Sequence, residues 1–194
     1  MFKDKTTKTM AYILGVVLVV LAVGGYQYSK EVREENRQFD YFLNHLYSSV
    51  DSSIGRIDYM LKEKPEDEDL VAAVRLLDED LLKANTVLHS ARTFINMEIY
   101  NTYFFLDATN FLYGITSSGE FTFKLPPISE DGHLGEKEIA ILETLRDYMN
   151  GTKEAMYSDE TMQEDPELTV NKMNEILETH LTQDKVGIYR ESLK

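Results

Sequence analysis

Four histidines, His45, His89, His133 and His180, are the side chains best suited to proton transfer or metal ligation, and their spacing argues against both. None has a second histidine three or four residues away, so the paired ligands that a helical zinc-protease motif presents on one face are missing. Glu130 and His133 stand at carboxylate–histidine spacing, yet they lie in a loop bearing glycine and proline. No second copy on a helix completes the pattern a di-iron centre needs. The acidic runs at residues 66–69 and 78–80 lack the alternating oxygen ligands and central glycine of a calcium loop, and they read as solvated faces. With no cysteine in 194 residues, disulfides, thiolate metal sites and cysteine nucleophiles fall away together. No phosphate loop, dinucleotide fingerprint or nucleophile elbow occurs. The expectation is a chain with no catalytic residue, no metal and no cofactor, and therefore not an enzyme.

Recognition chemistry is the remaining possibility, and it concentrates between residues 100 and 123. Tyr100, Tyr103, Phe104, Phe105, Phe111, Tyr113, Phe121 and Phe123 put eight aromatic rings into 24 residues. Two readings stand side by side. Either the rings cap the end of a helical core, or Tyr103, Phe104, Phe105, Phe111, Tyr113, Phe121 and Phe123 form a surface on which a partner docks. Under the second reading, alanine at Phe104, Phe105 and Phe111 lowers partner capture and leaves thermal stability nearly intact.

What positions such a surface begins with the N-terminal segment. Residues 10–26 (MAYILGVVLVVLAVGGY) carry no charge, and Lys3, Lys5 and Lys8 precede them. A bilayer interior about 30 Å thick needs roughly 20 helical residues, which residues 9–28 supply with Tyr26 and Tyr28 at headgroup level. Lys/Arg excess on the N-terminal flank predicts residues 1–8 as a cytoplasmic tail, 9–28 as a transmembrane anchor, and the remainder outside. A cleavable signal peptide is the competitor, because Ala22 and Gly24 form a small-residue pattern; the apolar run continues past them to the tyrosines. Residues 103–115 are the best second crossing, but the stretch is short and Asp107 at mid-bilayer costs about 2.5–3.5 kcal/mol. Residues 1–28 carry three lysines and one aspartate, a net of +2, so the remaining 166 residues carry −16 to give the overall −14. So acidic a surface repels phosphate backbones, and nucleic acid is not an expected partner. The absence of cysteine suits a bacterial extracytoplasmic domain.

Past the anchor, Phe39, Leu43, Leu46, Val50, Ser53, Ile57 and Met60 alternate steps of four and three, which predicts an amphipathic helix over residues 29–62. Unbroken, it would extend about 50 Å. Lys64-Pro65-Glu66-Asp67 ends that pattern. Leu70, Val74, Leu77, Leu81, Ala84, Leu88, Ala91 and Ile95 then repeat it, with helix able to continue to about Tyr113. Residues 114–135 read as an ordered connection, within which Phe121-Thr122-Phe123 alternates like a strand too short to be claimed as a sheet. A third helix is expected from Gly135 or Glu136 to Asn150-Gly151 or a turn beyond, carrying Ile139, Leu142, Leu145, Tyr148 and Met149. A fourth has Asp165 as N-cap and Pro166 at its first position, and buries Val170, Met173, Ile176, Leu177 and Leu181. Residues 183–194 look like a frayed tail. The fold class is thus all-α: a single N-terminal transmembrane helix, then an antiparallel bundle of three to four helices over residues 29–182.

A lysine-bearing start, one anchor, a long helix with Tyr/Phe and leucine heptads, and further helices beyond it resemble the N-terminal region of YpeB-type spore-germination proteins of endospore-forming bacteria. The resemblance is one of layout, covers roughly residues 1–160, and departs from the family in lacking its C-terminal domains. It implies an envelope protein that stabilises or localises a partner such as a cell-wall hydrolase. From the residues themselves the expectation is an anchored extracytoplasmic scaffold with a lipid partner through residues 9–28 and a protein partner in the envelope. The alternatives are a ligand-sensing helical bundle, or a self-associating coiled-coil protein of division or lysis machinery whose Leu70 stripe pairs between chains.

Overall fold

The computed structural model describes residues 2–117 and 122–193. The chain is mostly helical, with six helices and four short strands among those residues. It divides into two compact units, the first reaching Phe39 and the second running from Asp40 onward.

Helix α1 (Phe2–Glu63) contributes to both. In the first unit its described side chains from Met10 to Tyr28 are exposed around the whole circumference, Val16 and Val17 included. It is the helix, among those described, long and apolar enough to cross a membrane.

In the second unit the predicted stripe is buried. Leu43, Leu46, Val50, Ser53, Ile57 and Met60 are at most 1% exposed, while Phe39 is half-buried. Serines are tolerated on this face because each hydroxyl bonds back one turn: Ser49 Oγ donates to the His45 carbonyl at 2.7 Å and Ser53 Oγ to the Ser49 carbonyl at 2.9 Å. The helix ends where expected, at Glu63, and Lys64 turns the chain with φ of +46°.

Helix α2 (Asp67–Phe94) opens with Asp67, Glu68 and Asp69, whose charges suit the positive end of the helix dipole. Its stripe from Leu70 to Ala91 is buried as the periodicity predicts, each leucine contributing about 1.5–3 kcal/mol of apolar transfer. The helix does not continue to Tyr113. It stops at Phe94, because Asn96 Oδ1 takes the Glu98 amide at 2.8 Å in a side-chain turn and Arg92 reaches forward to the Ile99 carbonyl. Helix α3 (Phe104–Tyr113) is a separate element, preceded by Thr102, which accepts the Phe104 amide and donates to the Leu181 carbonyl.

Strands β1 (Ile115–Ser117) and β2 (Phe123–Leu125) pair antiparallel with Ile115 opposite Leu125. The strand-like alternation spans Phe121-Thr122-Phe123; the observed strand begins only at Phe123, and Phe121 lies outside the described residues. Helix α4 (Glu136–Met156) starts at Glu136 and runs through Gly151 to end about a turn beyond it, the longer of the two expected ends. A β-carbon at Gly151 would lie 2.5 Å from His180 Nδ1, so the glycine allows a close approach. Strands β3 (Tyr157–Ser158) and β4 (Gln163–Glu164) form a second hairpin.

Helix α5 (Val170–His180) starts later than expected. Asp165 is spent on the preceding turn, where its carboxylate takes the Glu167 amide, and Thr169 is the residue that caps the helix by accepting the Lys172 amide. Met173, Ile176, Leu177 and Leu181 are buried, in agreement with the predicted face. Residues 183–194, expected to fray, contain helix α6 (Lys185–Glu191), capped by Asp184 through the Gly187 amide.

Helix α3 packs on α2, α5 on α4, and α6 on both α3 and α4. Ion pairs tie α2 and α4 to α1. Arg56 meets Asp80 of α2 at 3.4 Å; Lys153 meets Asp51 at 2.6 Å and Arg146 meets Asp58 at 3.4 Å, a pairing that runs in opposite order along α4 and α1. The Asp51 carboxylate holds the Lys153 ammonium above its ordinary pKa.

Candidate functional site

The aromatic region was the sequence's strongest pointer to recognition, and α3 sorts its rings by helical geometry. Phe104, Phe105, Ala108, Phe111 and Leu112 lie on one face and are buried, whereas Tyr103 at its start and Tyr113 at its end point outward. Phe104, Phe105 and Phe111 are 0–1% exposed, and Phe123 on β2 is 7% exposed. These four rings are core, so as folded they offer no docking surface. Tyr103 and Tyr113 are 68% and 52% exposed. Phe121, the seventh expected member, lies outside the described residues.

The buried rings form two groups. Phe104 meets Phe105 and Tyr148 of α4 edge to face, with centroids 5.6 and 5.8 Å apart. Such T-shaped pairs add about 0.5–1.5 kcal/mol beyond area burial. Phe111, Phe123 and Tyr189 of α6 make a stacked row, with 6.4 Å between the first pair and 4.2 Å between the second. Sequence reasoning missed Tyr189 and the fully buried Ile188 beside it. The signal available was the apolar pair following Asp184, a good N-cap, inside a segment otherwise rich in charge.

Two titratable groups frame this region. Tyr113 Oη donates to Asp78 Oδ2 at 2.9 Å, and burial together with that carboxylate raises the phenol's pKa. Asp107, half-buried on α3, accepts the Lys185 amide at the start of α6 at 3.2 Å. Burial raises its pKa, partly offset by that amide, Asn110 and the Lys185 charge; Asp184 pushes the same way as burial.

The histidines remain dispersed. His45 and His89 are exposed on α1 and α2, His133 turns Nδ1 to the Asp131 carbonyl at 2.9 Å, and His180 sits against Gly151. Among the described residues no group of three or more His, Asp or Glu side chains is placed to hold a metal ion. The acidic run after Lys64 joins Ser129, Glu130, Asp131 and Gly132 around an open depression of about 480 Å³, closed on one side by the Asp67 amide bonding to the Gly132 carbonyl.

Beyond the aromatic region, Phe94 at the end of α2 and Met97 just after it are 80% and 77% exposed. Isolated exposed apolar residues are ordinary on a soluble surface. The unbroken run from Ile13 to Leu21 is not, because its apolar side chains lie uncovered on every side of the helix. No protein-family model, curated protein or solved structure matches this chain.

Proposed function

We propose that this chain is a single-pass membrane protein whose acidic helical domain acts as a scaffold or interaction module in a bacterial envelope, stabilising or localising a partner protein. Residues 9–28 are the anchor in this reading, residues 1–8 face the cytoplasm, and residues 29–182 form an antiparallel bundle outside. The observation that carries it is the charge-free helical run whose apolar side chains are exposed on all faces. In water such a surface has no covering; in hydrocarbon it needs none, and the helix satisfies its own backbone polar groups. Lys3, Lys5 and Lys8 ahead of the run support the orientation. The partner role is supported by the surface tyrosines Tyr103 and Tyr113 and by the YpeB-like layout.

Two measurements test it. Alkaline carbonate extraction of native membranes should leave the full-length chain in the pellet, and protease added outside intact cells should degrade residues 40–194. A chain released to the supernatant, or a C-terminal region shielded from external protease, refutes the placement. Crosslinked pull-down of the full-length protein from its own membrane then identifies the partner.

A further inference from the structure

We infer that the end of the second unit bearing Phe94, Met97 and Met162 rests on the lipid surface of the membrane that holds the anchor, with these three side chains entering the headgroup region. The inference deepens the anchored reading and rests on it for the presence of a bilayer.

Of the large apolar side chains described in the second unit, three are more than 70% exposed: Phe94 at 80%, Met97 at 77% and Met162 at 71%. Each alone is ordinary on a soluble surface. Their placement is not, because separate elements bring them to one end. Helices α1 and α2 run antiparallel across the short turn at residues 64–66, and Arg56 meets Asp80. Phe94 lies fourteen residues past Asp80 and Phe42 fourteen before Arg56, so Phe94 comes level with Phe42. Met97 follows in the turn just beyond. On α4, Arg146 meets Asp58 and Lys153 meets Asp51, a step of seven on each helix; seven residues further toward the start of α1, Asn44 donates to Glu164 of β4 at 2.9 Å. Met162 occupies the turn of that hairpin, its amide bonding to the Ser158 carbonyl. All three therefore gather at the end where the second unit begins, the end that also carries Tyr41, 60% exposed.

The tether says what covers this end. Residues 29–39 separate Asp40 from Tyr28 at the headgroups, at most about 40 Å of chain even when fully extended. Lipid is thus present at high effective concentration, and a weak contact suffices. The opposite end, around residues 64–67 and 129–132, presents Glu66, Asp67, Glu68, Glu130 and Asp131 instead. One aromatic ring and two flexible thioethers suit the boundary between headgroups and acyl chains, about 5–10 Å deep. The headgroups that fit are zwitterionic, because exposed Glu98, Asp159 and Glu160 flank the three side chains and repel anionic lipid.

The chain has no cysteine, so Met97→Cys, Met162→Cys and, at the opposite end, Glu130→Cys each take a single environment-sensitive fluorophore. Labelled full-length protein is reconstituted into phosphatidylcholine vesicles, with and without lipid bearing a nitroxide near its headgroup, and the chain that floats with the vesicles is read. Labels at 97 and 162 should lose most of their emission to the nitroxide lipid, and the label at 130 almost none. Equal quenching at all three positions, or none at 97 and 162, overturns the inference. So does an apolar emission shift at 97 and 162 in native membranes that phosphatidylcholine does not reproduce, which assigns this end to a protein partner. Because a fluorophore can seek lipid by itself, the Met162→Cys label is read again with Phe94→Ser and Met97→Ser added. Its quenching should fall severalfold; unchanged quenching credits the label alone and refutes the contact. A chain that does not float refutes the anchor and this inference with it, whereas a floating chain with unquenched labels refutes this inference alone.

Discussion

Phe104→Ala separates a core ring from a docking ring. Phe104 is fully buried and meets Phe105 and Tyr148 edge to face at 5.6 and 5.8 Å. Truncation removes the transfer free energy of the ring and leaves a cavity, a combined loss of about 3–5 kcal/mol for a buried phenylalanine. Against a total stability of about 5–15 kcal/mol that is a large share. For a unit of this size each kcal/mol lowers Tm by roughly 2–4 °C, so the expected drop is about 6–20 °C. Tyr103→Ala, one residue earlier and 68% exposed, should change stability by no more than about 0.5 kcal/mol. The assay is thermal and urea unfolding of the full-length protein in detergent, followed by near-UV circular dichroism of the packed aromatic side chains. A Phe104→Ala chain that melts within about 2 °C of wild type would refute the burial argument and return Phe104 to the list of surface docking residues.

Other expectations follow from single positions. Val17→Arg places a charge near the middle of the apolar run at a cost of about 2.5–3.5 kcal/mol, and should shift the chain out of the carbonate-resistant membrane pellet where Val17→Leu does not. Gly55 on α1 has open space around it, so Gly55→Ala should stabilise by about 0.5–1 kcal/mol. Gly151→Ala should instead lose about 1–3 kcal/mol, because its β-carbon meets the His180 ring at 2.5 Å; equal urea midpoints for the two variants would refute that packing. For Asp107, whose folded pKa is raised, the folded state binds the proton more readily than the unfolded one. Its favourable contribution is full below the ordinary aspartate value of about 3.9 and is lost as pH rises through the folded pKa. Wild-type stability measured against Asp107→Asn should therefore fall with rising pH across that window, and a constant difference from about pH 3 to pH 7 would refute it.

The long apolar patterns were legible because they are local. The run from Met10 to Tyr26 depends on nothing but consecutive side chains, and the four-three stripes of α1 and α2 mark a buried face on any helix that carries them. Leu43 to Met60 and Leu70 to Ala91 are buried where that periodicity puts them. The aromatic segment was less legible. Its density was plain, but with helix allowed to run on from α2 the phase of the face was not set. Once Asn96 and Thr102 end one helix and begin another, Phe104, Phe105 and Phe111 turn inward and Tyr103 and Tyr113 outward.

The chain's own composition was thus enough to mark an apolar segment fit to cross a bilayer, a largely helical remainder and strong acidity. Tertiary contact alone decided that Thr169 rather than Asp165 caps α5, that Gly151 passes through a helix beneath His180, and that the charged C-terminal segment folds back as α6. The physical reason is length. A stripe repeated over several heptads states its buried face by itself, whereas a seven-residue helix or a single cap is too small to be stable alone and takes its conformation from the surface it meets.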